Sequence, residues 1–386
     1  MLEINNESQL TKWLGSTSYQ PEAAAVQGMD LRPHAQRLGE LNFAGSLFLG
    51  CELDDATAGH ITGTGGLFIR KQEDFAFEVH RARLYRPAEL FGDPFDPETG
   101  RYEDTPDYRI YKEYKAQGGR SPASIRTSLM RRLHDHSITD ALEEAIKGRK
   151  VVAVMGGHGM ERQDPFFATV ARIARTLTRK GFLLVSGGGP GAMEATHLGA
   201  YFAAFSEQDL NDAIAQIKVR PAGAEPGKEY KDPDWLNRAW KIIEHYPLTD
   251  DSRSQAMSIG IPTWLYGHEP PTPFATHIAK YFANSVREDG LLMIANHGVI
   301  FAPGSAGTTQ EIFQDAAQNH YNTAGTISPM ILLGEKHWTK TRPVWPLLQQ
   351  VADGHLYGEL IALTDSEDEI VRRLLSYDPA LYSPKT

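Results

Sequence analysis

From Lys150 onward the chain alternates two kinds of segment. Short runs that are apolar throughout are separated by longer stretches in which apolar residues recur every three or four positions. VVAVM (151–155) and FLLVS (182–186) are too short for helices and apolar at every alternate position, which predicts strands buried on both faces of a parallel sheet. Further strands are expected at MSIGI (257–261), GVIFA (298–302), MILLG (330–334) and ELIAL (359–363). Between the first two, Asp164 and Pro165 supply an N-cap acceptor and a proline at the first helical position. Phe166, Phe167, Val170, Ile173, Ala174 and Leu177 then recur at helical spacing until Gly181. SEDEIVRRLLSY closes the series with a helix. The repetition predicts an α/β fold, a doubly wound parallel sheet of Rossmann-like kind, with ligands bound beyond the carboxyl ends of its strands.

Residues 1–147 read differently. GHITGTGGLFIRK looks like a hairpin, FGDPFDPETGRYEDTPDYR like a turn-rich acidic connection, and no helix–strand alternation is evident before about 121, where SPASIRTSLMRRLHDHSITDALEEAIKGRK turns helical. The chain thus divides into an N-terminal accessory α+β region, 1–147, and a nucleotide-binding domain, 148–386, interrupted by a polar insertion at about 206–255 with a helix or two that could serve as a lid. A length of 386 residues accommodates two domains. A formal charge of −10 argues against nucleic acid or an anionic membrane surface as partner, and no apolar run is long enough to span a bilayer. The single cysteine, Cys51, points to a reducing compartment, and the N-terminal residues do not resemble a secretory signal, so a cytoplasmic location is expected.

Three strands lead into distinctive loops: MGGHGMERQDP, SGGGPGAME and APGSAGTTQE. In a parallel sheet such loops share one edge. The second and third each precede a helix, where free N–H groups and the helix dipole favour an anion, and glycine lets a phosphate touch bare backbone. None ends in G-K-[ST], and none fits the dinucleotide fingerprint, so a mononucleotide or sugar phosphate is expected rather than NAD, with no cofactor. The plainer alternative for each loop is a tight strand–helix turn. His268, His277, His297 and His320 fall in no metal-ligand spacing, and no metal is expected.

SGGGPGAME and PGSAGTTQE resemble the paired motifs of the Lonely Guy family, G-G-G-x-x-G-x-M and P-G-G-x-G-T-x-x-E. The likeness is greatest to the bacterial branch of pyrimidine/purine nucleotide 5′-monophosphate nucleosidases, with VAVMGGHGMERQ, GPGAMEATHLGA, HEPPTPF and IANHGVIFAPGSAGTTQE in matching order across about 148–377. The resemblance implies hydrolysis of the N-glycosidic bond of a nucleoside monophosphate such as AMP, giving free base and ribose 5-phosphate. It puts the catalytic pair on Glu311 and Arg287. It puts substrate and phosphate binding on Gly157 and His158 in the first loop, Gly187, Gly188, Gly189, Gly191, Met193 and Glu194 in the second, and Gly304, Ser305, Gly307 and Thr308 in the third. Ser305 replaces the second glycine of P-G-G. Base contacts are expected from loops within 206–273.

Each of these residues also has a structural reading. Thr308 and Glu311 spell a capping box, T-x-x-E. Arg287 would complement the dipole in the last turn of a helix ending near Gly290, Glu194 would do so at a helix start, and His158 could be a solvated loop residue. Two other functions stay open: a phosphoribohydrolase for cytokinin-type nucleotides, and a non-catalytic nucleotide sensor. The resemblance further implies a homodimer or higher oligomer. TPFATHIAKYFANSV, read as a helix, carries Phe274, Ile278, Tyr281, Phe282 and Val286, an apolar set wide enough to face a second subunit.

Overall fold

A computed structural model describes residues 1–15, 19–218 and 225–382. The chain falls into two units, Met1–Leu84 with Glu113–Ala145, and Tyr85–Lys112 with Ile146–Thr386.

The first unit is more regular than the sequence suggests. It runs β1 (Leu2–Ile4), α1 (Glu7–Leu14), β2 (Ala24–Gln27), α2 (Ala35–Leu38), β3 (Leu47–Cys51), α3 (Asp55–Gly63) and β4 (Leu67–Arg70). The four strands form one sheet in that order, each pair parallel, so this is an α/β layer and not the expected α+β region. The expected hairpin at 59–71 is α3 followed by β4. Asp54 caps the helix by accepting from Thr57 N–H at 2.9 Å, and Gly65 at φ +91° turns the chain back into a strand that pairs parallel with β3. Ile4, Leu10, Trp13, Val26, Phe43, Phe48 and Ile61 form its core, with Phe43 and Phe48 edge to face at 5.1 Å. Cys51 lies in that core, and burial pushes its thiol up to about 11. Residues 85–112, expected with the N-terminal region, carry α4 (Pro87–Phe91) and the start of α5 (Pro106–Ala116) and cluster with the second unit; α6 (Ile125–Ile146) returns to the first.

The second unit continues with β5 (Lys150–Met155), α7 (Pro165–Arg179), β6 (Phe182–Ser186), α8 (Ala192–Tyr201), α9 (Glu207–Ile217), α10 (Pro233–His245), α11 (Asp250–Gln255), β7 (Ser258–Gly260), β8 (His277–Ile278) and α12 (Asn284–Met293). Then come β9 (Val299–Phe301), α13 (Ala306–Tyr321), β10 (Met330–Leu333), α14 (Trp345–Ala352), β11 (Ile361–Thr364) and α15 (Glu367–Ser376). Its seven strands lie in the order β11-β10-β9-β5-β6-β7-β8, all parallel. Val152, Val154, Leu184, Ile300 and Ile331 pack with α7, α8 and α15, while the alternate residues Val151, Ala153, Leu183, Val299 and Met330 are equally buried on the other face. This is the doubly wound sheet the apolar runs predict. The chain leaves β5 in one direction, through β6 to β8, and resumes on the other side of β5 with β9. The carboxyl ends of β5 and β9 therefore flank a topological switch point, where such sheets take their ligands.

Two expectations fail here. The insertion is no loose lid among its described residues: Leu210, Ala213, Ile214 and Ile217 of α9 and Ala239 and Ile242 of α10 are members of the main core. Residues 219–224, within its polar stretch, lie outside the described residues. The segment 272–283 is not helical. Its backbone N–H groups bond instead to the sheet side, Thr272 to Gly188 O, Ile278 to Tyr85 O, Ala279 to Gly260 O and Tyr281 to Pro262 O, all at 2.8–3.1 Å. Phe274, Ile278, Tyr281 and Phe282 are buried, and of the set only Val286 is exposed. The apolar set thus has its partners within the chain and gives no support to a second subunit. No helix among the described residues is long and apolar enough to cross a membrane.

Candidate active site

At the switch point lies a cavity of about 270 Å³. The loops after β5, β6, β7 and β9 and the first turn of α12 form its walls. From the first loop come Gly157 and His158, from the second Gly187, Gly189 and Met193, from the third Ser305, Gly307, Thr308 and Glu311, and Arg287 joins them from α12.

Two helix starts border this cavity. α8 begins after Gly191 and α13 after Ser305, and neither has a side chain capping its N-terminus. Uncapped N–H groups with the positive end of the dipole form a ready anion site. Ser305 sits at φ −116°, outside the left-handed region, so this turn does not require a glycine's positive φ at that position.

Gly188, Gly191 and Gly304 do not line the cavity; they let its walls approach each other. Gly188 holds φ +69°, and a Cβ there would stand 2.9 Å from both Gly260 Cα and Pro262 Cδ. A Cβ on Gly191, at φ +74°, would stand 2.4 Å from Gly157 O, and one on Gly304 would meet Thr308 Oγ1 at 2.1 Å. Glu194 is also displaced from the expected site. It is fully buried and grips Arg162 with both oxygens, at 2.5 and 3.0 Å, while Arg162 also donates to Trp235 O at 3.0 Å and covers the Trp235 ring at 4.6 Å. It is a structural ion pair beneath α8.

The structural readings of the other two ionisable residues do not hold either. α13 starts at Ala306, which makes Thr308 its third residue and Glu311 its sixth, a full turn too deep for a capping box. Arg287 lies in the first turn of α12, not the last, because the extended run before Asn284 delays the helix. A cation there opposes the dipole, so the dipole does not account for it. Its side chain is 10% exposed, donates weakly to Asn284 Oδ1 at 3.3 Å and lies 3.6 Å from Glu288. Arg287 also approaches the second loop, where a Cβ on Gly187 would stand 3.2 Å from its Nη1.

Burial pushes the Glu311 carboxyl above its ordinary 4.5, the Arg287 charge pulls it back, and the Glu288 charge pushes it further up. The cavity therefore holds a half-buried carboxylate tuned by a neighbouring cation and a neighbouring anion.

Several lining residues are not singled out by the sequence: Gly156, Pro262, Thr263, Tyr266, Glu269, Pro271 and Glu288, although the five from Pro262 to Pro271 fall within the 206–273 stretch expected to contact the base. Most follow β7, and a loop at the carboxyl end of any strand of this parallel sheet must open on the same edge, which was the available signal. Burial of the phenol, then the charge of Glu269 and the hydrogen bond to it, raise Tyr230 to about 12, and the Tyr230 ring stands edge-on to His158 at 6.2 Å. Beneath the second loop, His197 is wholly buried between Ser186 Oγ (2.8 Å) and Ser258 Oγ (2.9 Å), and Ser186 Oγ accepts the Gly188 N–H at 3.1 Å. Burial lowers His197 to about 3, so a neutral imidazole braces the glycine loop.

No protein-family model matches the chain, and no curated protein does. Among solved structures it is similar to the molybdenum cofactor binding protein from the phototrophic bacterium Rippkaea orientalis, at 15% identity, over 60% of this chain and 98% of that one, with a TM-score of 0.35. That likeness carries no argument about function.

Proposed function

We propose that the second unit is a nucleotide 5′-monophosphate nucleosidase, adding water across the N-glycosidic bond to release the free base and ribose 5-phosphate. The observation that carries the reading is the meeting of Glu311 and Arg287 with two uncapped helix starts in one cavity. Breaking the bond builds positive charge on the ribose ring, as in glycoside hydrolysis. An ionised Glu311 offsets that charge or takes the proton of the attacking water, while the departing base takes up a proton. The helix starts hold the 5′-phosphate and thereby fix the sugar against Glu311. Arg287 keeps Glu311 ionised and oriented. The motifs SGGGPGAME and PGSAGTTQE support the same reading. A homodimer belongs to the proposal on the strength of the family resemblance alone.

Incubating the chain with a panel of nucleoside monophosphates and assaying free base tests the reading. Absence of base from every member would leave a nucleotide-binding protein without this activity. Within the panel, adenosine is expected to be turned over at least a hundredfold less efficiently in kcat/KM than AMP, since two anion sites for the 5′-phosphate amount to about 3 kcal/mol of lost transition-state binding. Equal values would remove the phosphate from the glycine loops.

The acid limb of the pH–rate profile supplies a second test. Activity requires ionised Glu311, so it falls as pH drops through that group's pKa, and burial places this limb above the ordinary carboxylate range. Arg287→Met removes the charge that favours the ionised form and should move the limb to higher pH. Glu288→Gln removes the like charge and should move it to lower pH. Shifts of the same sign in both variants would dissociate the limb from Glu311.

A further inference from the structure

The first unit carries a cavity of its own, of about 400 Å³, at the carboxyl edge of its parallel sheet. Residues directly after β2 and β4, the end of β3 and the segment 75–80 enclose it. That edge is where open α/β sheets take ligands. Gly50 is at φ +66°, and a Cβ there would lie 2.6 Å from His80 Cβ, so glycine is what admits the His80 side chain at the strand end.

His80 separates this cavity from a surface dimple. It lines the space, is only 4% exposed, and has no hydrogen-bond partner at Nδ1 or Nε2. Burial, with smaller contributions from His134 and His136, lowers it to about 4, so at neutral pH it offers one N–H donor and one bare nitrogen acceptor. A buried polar group without partners is destabilising, and a ligand that pairs with one of the two diverging ring nitrogens removes part of that cost. Beside it, Phe75 and Phe77 line the same space with ring centroids 5.2 Å apart, Phe75 carrying the Arg126 guanidinium at 5.1 Å and Phe77 standing edge-on to His134 at 5.5 Å.

The mouth selects by charge. Among the described lining residues the one ammonium, Lys71, is already held by Glu52, so no lining cation is left to a phosphate. Glu52 already meets Lys71 at 2.7 Å and Arg32 at 3.0 Å, and Glu78 meets Arg81 at 2.6 Å, so the carboxylates do not call for a cationic ligand.

We propose that this edge binds a neutral planar heterocycle of nucleobase type, lying against Phe75 and Phe77 and hydrogen-bonded through its edge to His80. The proposal rests on this cavity alone and stands or falls independently of the nucleosidase reading. A base released by hydrolysis of a nucleotide has the required chemistry.

The test uses the full chain with histidine-specific isotope labelling. Adenine, hypoxanthine and uracil are titrated while the His80 imidazole resonances are followed, with AMP as the phosphate-bearing comparison and calorimetry giving the affinity. At least one base is expected to shift the His80 resonances at millimolar concentration or below, AMP to shift them far less, and His80→Phe to weaken binding about tenfold or more. Because a base could also enter the cavity at Glu311, the His80 signal, not total binding, decides. Silence of that signal toward all three bases, an equal response to AMP, or unchanged affinity in His80→Phe would each overturn the proposal. Should His80→Phe not fold, the resonances of the unsubstituted chain settle the question.

Discussion

Glu311→Gln is expected to lower kcat by about 10²–10³-fold while leaving AMP affinity within a fewfold of the unsubstituted chain. Glutamine has the shape and hydrogen-bonding reach of glutamate but no charge, and charge is what an oxocarbenium-like transition state requires. The position makes the experiment clean. Glu311 is the sixth residue of α13 and caps nothing, and it is only half-buried, so the substitution does not unpair the helix start. Burial disfavours the ionised form of Glu311, so losing that charge should leave the melting temperature level or raise it slightly. Single-turnover release of labelled base, with AMP binding measured separately by calorimetry, reads both quantities. Turnover within threefold of the original would end the catalytic role. Loss of AMP binding with loss of turnover would make Glu311 a binding residue.

What the sequence made legible was what local pattern encodes. Buried parallel strands must be apolar on both faces, so VVAVM, FLLVS and MILLG stand out, and α7 carries its own start signal in Asp164 and Pro165. The glycine loops are legible for the same reason, since bare backbone at a strand–helix junction has few other uses. Illegible were the features whose partner lies far along the chain. β8 is two residues long and exists because Ala279 and Ile278 bond to Gly260 and Tyr85. The run 272–283 has helical apolar spacing, but its backbone is claimed by the sheet, and this displaced start puts Arg287 in a first turn. Glu194 looks like a site carboxylate until Arg162, 32 positions away, is found to hold it. The 59–71 segment shows the same limit: Gly-rich and β-branched residues suit a hairpin equally well, and only the parallel pairing with β3 excludes one.

The segment 85–112 carries one half of a buried ion pair in the second unit. Its Asp107 is fully buried, and every contact of its carboxylate is made within the second unit. Lys280 Nζ donates at 2.7 Å and the Tyr102 hydroxyl at 2.7 Å to one oxygen, and Trp264 Nε1 donates at 2.9 Å to the other. Lys280 is equally buried, 5.3 Å above the Trp264 ring; burial lowers its pKa and the Asp107 charge raises it back. Trp264 begins the short turn Trp264–Tyr266, and Thr263 and Tyr266 line the cavity, so Asp107 braces one wall of the site from beneath. Asp107→Asn turns an amide against the ammonium and leaves Lys280 without a countercharge. Removing one partner of a buried pair costs about 3–5 kcal/mol, which for a unit of this size lowers Tm by roughly 6–20 °C. The companion variant separates charge from packing. Asp107→Leu with Lys280→Met removes both charges, and apolar replacement of a whole buried pair is often neutral or stabilising, so most of the lost Tm should return. The Trp264 N–H would still lack its acceptor, so the wall should stay loosened and kcat/KM for AMP should remain depressed in the double variant. A Tm in Asp107→Asn within about 2 °C of the original would mean that Lys280 is solvated or neutral in the fold. Full recovery of kcat/KM in the double variant would detach the ion pair from the site and leave it a matter of stability alone.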